Sequence, residues 1–369
     1  QLETVLINSR NDSGVDTTYL YDDIQLISDL SGRDVYGEGW ALSFVDGAWT
    51  VSNGEESVVL DGVDKVQVGD VVYVLVRGGG YDTIQSAISA AAEGETVAIA
   101  PGAYSESLTL GKLVHLEGFG EVVIEGSGSG SGLAITAGAS GSAESPLSIS
   151  NLTFSNFNYG LNLNDVSHVA LAGITASGNN VGVKIPSNAS VSHLAIRDSH
   201  FDNNATHGWY ADKNSSSNSY ISYLTVTNST FNGNGIKGFY TEKLDHAIFD
   251  GVRIEGSGVD PNYQYNAGFD INLKYGDYED IKILNSYFAG SGIDGTGPGQ
   301  SVIVKARGFE GDSAAYAARP ATLDGLVIEN VTIVDGGTFG LSVANVTGLV
   351  QSGNSIEGFV YLQGTDGDD

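Results

Sequence analysis

The chain has 369 residues, and its 45 acidic against 16 basic side chains give a formal charge of −29. A general basic surface is therefore absent and nucleic acid is excluded as a partner, because neutralising phosphates needs clustered Lys and Arg. With 41 % hydrophobic residues the chain can bury a large core, and the lack of cysteine removes disulfides, thiolate metal sites and thiol nucleophiles.

Residues 1–77 carry short strand-like runs, Trp40-Ala-Leu-Ser-Phe, Ala48-Trp-Thr-Val and Glu56-Ser-Val-Val-Leu, separated by acidic and glycine turns. They read as a small β module. Apolar runs such as Val71 to Val76 fall far short of the roughly 18 residues a membrane span needs. Gln1-Leu2-Glu3 opens no basic and apolar leader. Next, Ile84, Ala87, Ile88 and Ala91 lie at helical spacing, with Gly94 as the expected stop and Pro101-Gly102 turning into the following strand.

From Leu147 a register of the form Leu-x-Ile-x-Asn-x-x-Phe recurs. It reads Leu147, Ile149, Asn151, Phe154; Val169, Leu171, Gly173; Leu194, Ile196, Asp198, Phe201; Leu224, Val226, Asn228, Phe231; Ile281, Ile283, Asn285, Phe288; and Leu326, Ile328, Asn330, Ile333, with a weaker fit at Ala247 to Ile254. Apolar alternation selects strands, and intervals of 22 to 45 residues between equivalent positions mean fixed strands with variable insertions. A second register follows each first one: Gly160-Leu-Asn-Leu, Gly182-Val-Lys-Ile, Gly208-Trp-Tyr-Ala, Gly238-Phe-Tyr-Thr, Gly268-Phe-Asp-Ile, Ser301-Val-Ile-Val and Gly340-Leu-Ser-Val. Each coil thus has at least two strands, and stacking supplies the core that one coil lacks.

This pattern resembles the right-handed parallel β-helix of the pectate-lyase-like superfamily over residues 78–362. The stretch from Tyr81 to Glu106 is similar to the segment that opens such β-helices, where an amphipathic helix caps the first coil and shields an open edge. The expected fold is all-β: a solenoid with an N-terminal capping helix and a small β module before it. Two further resemblances concern calcium. Val59 to Val68 is similar to strands beside calcium-binding repeats of type-I-secreted bacterial proteins, and residues 363–369, ending Gly-Thr-Asp-Gly-Asp-Asp, resemble the opening of an RTX nonapeptide repeat. They imply a module of a larger exported protein, secreted or at the cell surface.

Strand alternation points the second and fourth residues after each glycine outward. The second-position column is Asn162, Lys184, Tyr210, Tyr240, Asp270, Ile303 and Ser342; the fourth is Asn164, Pro186, Asp212, Glu242, Asn272, Lys305 and Ala344. Lys213, Lys243, Lys274 and Arg307 lie at or just past the strand ends, so one sheet collects much of the chain's scarce positive charge. Coils stack at roughly 4.8 Å, which sets Asp212, Glu242 and Asp270 close enough to share a cation or a proton. Long excursions at residues 255–266, 290–300 and 308–320 flank these coils as candidate walls.

These columns suggest a groove for an anionic polysaccharide on a monomeric protein. Lys243, Lys274 and Lys305 are candidate bases. Tyr210 and Tyr240 are candidate proton donors or platforms for sugar rings. Lys184, Lys213, Arg307, Asn272 and His207 are candidate substrate ligands, and Asp212, Glu242 and Asp270 a candidate Ca²⁺ or acid site. His246 is a further neighbour of the same coils. The resemblance implies a β-eliminating lyase or C5 epimerase acting on a uronic-acid polymer, with Lys or Arg removing the proton α to the carboxylate. Two other classes stay open: a noncatalytic adhesin, surface-layer or glycan-binding module, and a glycoside hydrolase using paired carboxylates. Neither the Asp-Pro-His-Glu motif of alginate epimerases nor the paired aspartates of polygalacturonases is present, so no catalytic residue carries over from a named family. For each charged residue taken singly, the alternative is an exposed ladder between coils.

Overall fold

A computed structural model describes residues 34–37, 39–293 and 299–367. Residues 1–33 of the N-terminal module and the last two of the acidic C-terminal run, Asp368 and Asp369, lie outside the described residues.

Contacts divide the chain into two units. The first takes the chain through Pro101 together with His115–Gly120. Ala41–Val45, Ala48–Ser52 and Ser57–Leu60 form an antiparallel sheet, and Lys65–Val68 pairs with Val71–Val76 as a hairpin. Its core gathers Trp40, Trp49, Val51, Leu60, Val66 and Leu75. The expected helix runs Ile84–Ala90, capped by Thr83, whose hydroxyl accepts from the Ser86 N–H at 3.2 Å. It stops short of Gly94, because Ala91 already has an extended backbone.

The second unit holds the repeats, and all its inter-coil strand pairs are parallel. One sheet takes Leu147–Ser150, Val166–Ala172, Val191–Arg197, Ile221–Thr227, Asp245–Asp250, Asp277–Leu284, Thr322–Glu329 and Val346–Ser352 in chain order. A second takes Leu108–Leu110, Ser131–Thr136, Tyr159–Asn164, Val181–Ile185, His207–Ala211, Lys237–Thr241, Ala267–Leu273, Gln300–Ala306, Phe339–Ala344 and Phe359–Gln363. Short strands such as Thr153–Ser155 and Tyr287–Ala289 make a third face. This is a parallel β-helix.

The first register maps onto it directly. Leu147, Val169, Leu194, Leu224, Ala247, Ile281 and Leu326 are successive cross-strand partners, and all are buried. The Asn, Asp or Gly that ends each run has a left-handed backbone, with φ of 58° at Asn151, 61° at Gly173, 50° at Asp198, 47° at Asn228 and 66° at Gly251. Only Gly, Asn and Asp adopt this conformation readily, which is why the position tolerates so few residue types.

A buried amide ladder ties coil to coil. The Asn179 N–H donates to Asn204 Oδ1 at 3.0 Å, the Asn204 N–H to Asn234 Oδ1 at 2.9 Å, and the Asn234 N–H to Ser257 Oγ at 3.0 Å. Asn234 Nδ2 also donates to the Phe201 carbonyl at 3.0 Å. Asn234→Ala strands these buried groups and is expected to lower unfolding free energy by about 2 kcal/mol, measured by urea titration. An unchanged midpoint would refute a supporting role for the ladder.

Candidate functional site

The outer face of the second sheet is the floor of the site. Asn162 pairs with Lys184, Lys184 with Tyr210, Tyr210 with Tyr240, Tyr240 with Asp270, Asp270 with Ile303 and Ile303 with Ser342. Beside that column Asn272 pairs with Lys305, and Lys305 with Ala344.

Alternation fails one step earlier, at the glycines. A Cβ on Gly238 would point inward, 2.7 Å from the Gly268 carbonyl oxygen, 2.8 Å from Ile254 Cγ2 and 2.9 Å from the Phe231 carbonyl oxygen. Phe239 also faces the core, so two consecutive residues point in and the residue before the glycine is turned out, as in a bulge. His207 and Lys237, which are cross-strand partners, thereby reach the groove. Lys237 is invisible to strict alternation, which sends it into the core; the available signal is the glycine, which marks irregular strand backbone.

Four of the groove cations are paired. Lys184 bonds Asp212, Lys237 bonds Asp270, Lys274 bonds Glu242, and Arg307 holds Asp312 through two N–H groups at 2.8 and 2.6 Å. Burial alone would raise Asp312, but Arg307 and the Gly308 and Ser313 amides outweigh it and lower its carboxyl to about 2. Asp212, Glu242 and Asp270 thus each carry their own lysine rather than converging. Among the described residues no three His, Asp or Glu side chains are grouped to hold a metal. A Ca²⁺ ion takes six to eight oxygens, and this donor set does not fit it.

Lys305 is different: it is half-buried, and among the described residues it has no hydrogen bond or ion pair. Burial lowers its pKa from 10.5, and Lys237 and Arg307 add to the effect against the opposing pull of Asp270. Nearby, the Tyr240 hydroxyl donates to Glu242 and accepts from Asn272 Nδ2 at 3.2 Å, while Asn272 Oδ1 accepts from Arg307 at 3.5 Å. Burial, with Glu242 and Asp270 close by, pushes the Tyr240 phenol above its ordinary 10.0. It keeps its proton through neutral pH.

Tyr210 and Tyr240 stack at 5.6 Å, with Lys184 Nζ 3.9 Å from the centre of one ring and Lys237 Nζ 4.0 Å from the other. The expectation that their faces pack on sugar rings meets faces already engaged by each other and by the lysines, and of the two hydroxyls only that of Tyr210 is without a partner among the described residues.

The groove has two lobes. One, about 450 Å³, is lined by Asn266, Asp270, Asn272, Lys305, Arg307 and Phe309 among others. The other, about 300 Å³, is lined by Tyr159, Asn180, Thr206, His207 and Tyr210. Lys237, Tyr240 and Tyr263 belong to both. Residues 263–266 and Phe309 come from the expected walls; 294–298 lie outside the described residues. In the larger lobe Asp270 Oδ1 and Asn266 Oδ1 are buried acceptors with no partner among the described residues.

Three lysines are reassigned. Lys243, a candidate base, is fully buried and donates to the carbonyls of Pro186 at 2.7 Å and Ala189 at 2.6 Å, with Ser187 O and Ser219 Oγ at 3.3 Å. It fastens a turn and does not line the groove. Lys213, a candidate ligand, is buried too, donating to the Tyr278 hydroxyl at 2.7 Å with the Tyr220 ring centre at 4.3 Å. Lys274 stays charged: burial opposes its proton, but Glu242 prevails and raises its pKa, so it is a partner for that carboxylate rather than a base. His246 lies on the other long sheet, bonded to Asp245 at 2.9 Å, and is not among the groove residues.

The second unit is thus a parallel β-helix with a polar groove outside one sheet. Residues 111–254 match the family profile described as a right handed beta helix region. No curated protein matches the chain. Among solved structures, an alginate lyase from Paenibacillus sp. str. FPU-7 is 16 % identical, with 77 % of this chain and 96 % of that chain covered and a TM-score of 0.53. The A-module of the Azotobacter vinelandii mannuronan C-5 epimerase AlgE6 is 16 % identical over 78 % of this chain and 94 % of that chain, with a TM-score of 0.40. The Streptococcus pneumoniae surface adhesin PfbA is 14 % identical over 77 % and 85 %, with a TM-score of 0.41. At 16 % identity and a TM-score of 0.53 the likeness to the first is one of fold: a right-handed parallel β-helix. Among the described residues no helix is long and apolar enough to cross a membrane.

Proposed function

We propose that the groove binds a uronic-acid-containing polysaccharide and removes the proton α to a uronate carboxylate. The observation that carries this reading is Lys305, a half-buried amine with no partner among the described residues, beside Lys237 and Arg307 in a chain of charge −29. Arg307 faces the uronate carboxylate and stabilises the charge that develops on it. The free Lys305 amine takes the α proton. In elimination the electron pair forms the C4–C5 double bond as the C4–O4 bond breaks, and Tyr240 protonates the departing oxygen; in epimerisation Tyr240 returns a proton to the opposite face. A hydrolase would need two carboxyls free to serve as acid and base, whereas each of the three here carries a lysine. The substrate class places the protein outside the cell, secreted or on the surface.

Activity is expected to rise with pH as Lys305 loses its proton, at a value below the ordinary 10.5, while Tyr240, raised above its ordinary 10.0, keeps its proton. The assay is a pH series against alginate, pectate, hyaluronan and chondroitin, read by ultraviolet absorbance of the unsaturated uronate and by proton NMR of the recovered polymer. A rate that rises with pH to a plateau supports the reading. An unchanged polymer at every pH removes it and leaves a noncatalytic glycan-binding module, the second reading, which the pairing of four groove cations favours.

A further inference from the structure

The two lobes differ in charge although they adjoin. The larger is lined by Lys305, which has no partner among the described residues, by Arg307, which is paired with Asp312, and by Lys237 with its partner Asp270, so its lining carries an excess of positive charge. The smaller has Lys237 as its one charged lining residue, and that ammonium is committed to Asp270. Lys184, close to Tyr210, is committed to Asp212 and does not line the lobe. His207, 9 % exposed, is lowered to about 3 by burial and by Lys237 and Lys184, so its imidazole is neutral. A carboxylate in this lobe would lose water and find no spare positive charge, which is unfavourable.

What the smaller lobe does offer is uncharged and polar. The Tyr210 hydroxyl has no protein partner among the described residues, and the same lobe is lined by His207, by Asn180, which donates to Asn158 Oδ1 at 3.0 Å, and by Thr206, whose hydroxyl donates to the Asn180 carbonyl at 2.8 Å. These suit hydroxyl or amide groups. Because Lys237, Tyr240 and Tyr263 line both lobes, units seated in them are neighbours on one chain.

We infer that the polymer alternates a uronate with an uncharged sugar, the uronate lying in the cationic lobe and its uncharged neighbour in the lobe of Tyr159, His207 and Tyr210. This rests on the uronate reading above and adds the identity of the adjoining unit. A homopolymer of uronates would force a second carboxylate into the neutral lobe.

The test is calorimetric titration on the acidic side of the measured activity profile, where turnover is lowest, with hexasaccharides of hyaluronan, polymannuronate and polygalacturonate. Hyaluronan, which alternates glucuronate with an uncharged N-acetylhexosamine, is expected to bind about tenfold more tightly than either homopolymer, the equivalent of about 1.4 kcal/mol. Thr206→Lys, which places a cation in the neutral lobe, is expected to tighten homopolymer binding about fivefold without improving hyaluronan. Loss of folding does not produce such a gain. Equal or tighter binding of the homopolymers by the natural chain would overturn the inference and leave the uronate reading standing. No binding of any of the three would overturn both.

Discussion

Lys305→Ala is expected to lower turnover about a thousandfold while the protein melts within about 2 °C of the natural chain. A positioned base contributes two to four orders of magnitude, and Lys305 is the one groove cation with no partner among the described residues, so no ion pair is lost with it. Removing a half-buried charge that nothing compensates even relieves a desolvation penalty. Lys305→Arg separates chemistry from binding. Arginine keeps the positive charge and can still hold a uronate, but it stays protonated at every accessible pH. The arginine variant should therefore bind polymer and fail to turn it over. Substantial activity in it would show that Lys305 acts as a carboxylate anchor and that the base lies elsewhere. Lys274→Ala offers a useful contrast, because it removes the partner of Glu242 and leaves Lys305 in place, so it should reduce the rate rather than abolish it.

Lys243→Met should do the reverse, lowering unfolding free energy by about 3 kcal/mol with turnover per folded molecule retained. The ammonium is buried and satisfies carbonyls of Pro186, Ser187 and Ala189, and methionine fills the volume but donates to none of them. The effect has a pH signature. Burial lowers Lys243 from 10.5 to about 8, so between those values the unfolded chain holds a proton that the folded chain has released. Folding is then favoured more as pH rises through that window, and the penalty of burying the charge is fully present below about 8. The stability difference between the natural chain and Lys243→Met cancels the charge of the rest of the molecule. It should widen from pH 8 towards 10.5. A difference that stays flat across the window would mean that Lys243 does not titrate there.

The solenoid was legible because its demands are local and repeated. Left-handed backbone at Asn151, Asp198, Asn228, Asn285 and Asn330 restricts each coil to a few residue types, and inward alternation supplies the strands between. The column from Lys184 to Asp270 was legible for the same reason. Lys243 and Lys213 were misplaced through neglect of that rule, since each stands an odd number of residues after its glycine and so points inward, whereas Lys305, Lys274 and Arg307 stand at even positions and point out. Parity alone separates the turn-fastening lysines from the groove lysines. Lys237 was hidden by the opposite cause, a local bulge that reverses parity. The lysine–carboxylate pairings were out of reach, because outward columns fix which rows are adjacent and leave the torsions of long side chains free.

The division between strands and insertions bears on how such a chain changes over evolutionary time. Lys305, Tyr240 and Asp270 sit on the strands Gln300–Ala306, Lys237–Thr241 and Ala267–Leu273, whose backbone the glycines and the amide ladder hold fixed. Tyr263, Asn266, Phe309 and Asp312 sit on excursions whose length the stack does not dictate, as the 45-residue interval between Asn285 and Asn330 shows. Exchanging an excursion alters what the groove admits while the reacting groups keep their spacing. Transplanting residues 256–266 between homologous solenoids is therefore a route to new polymer preference that leaves the chemistry intact.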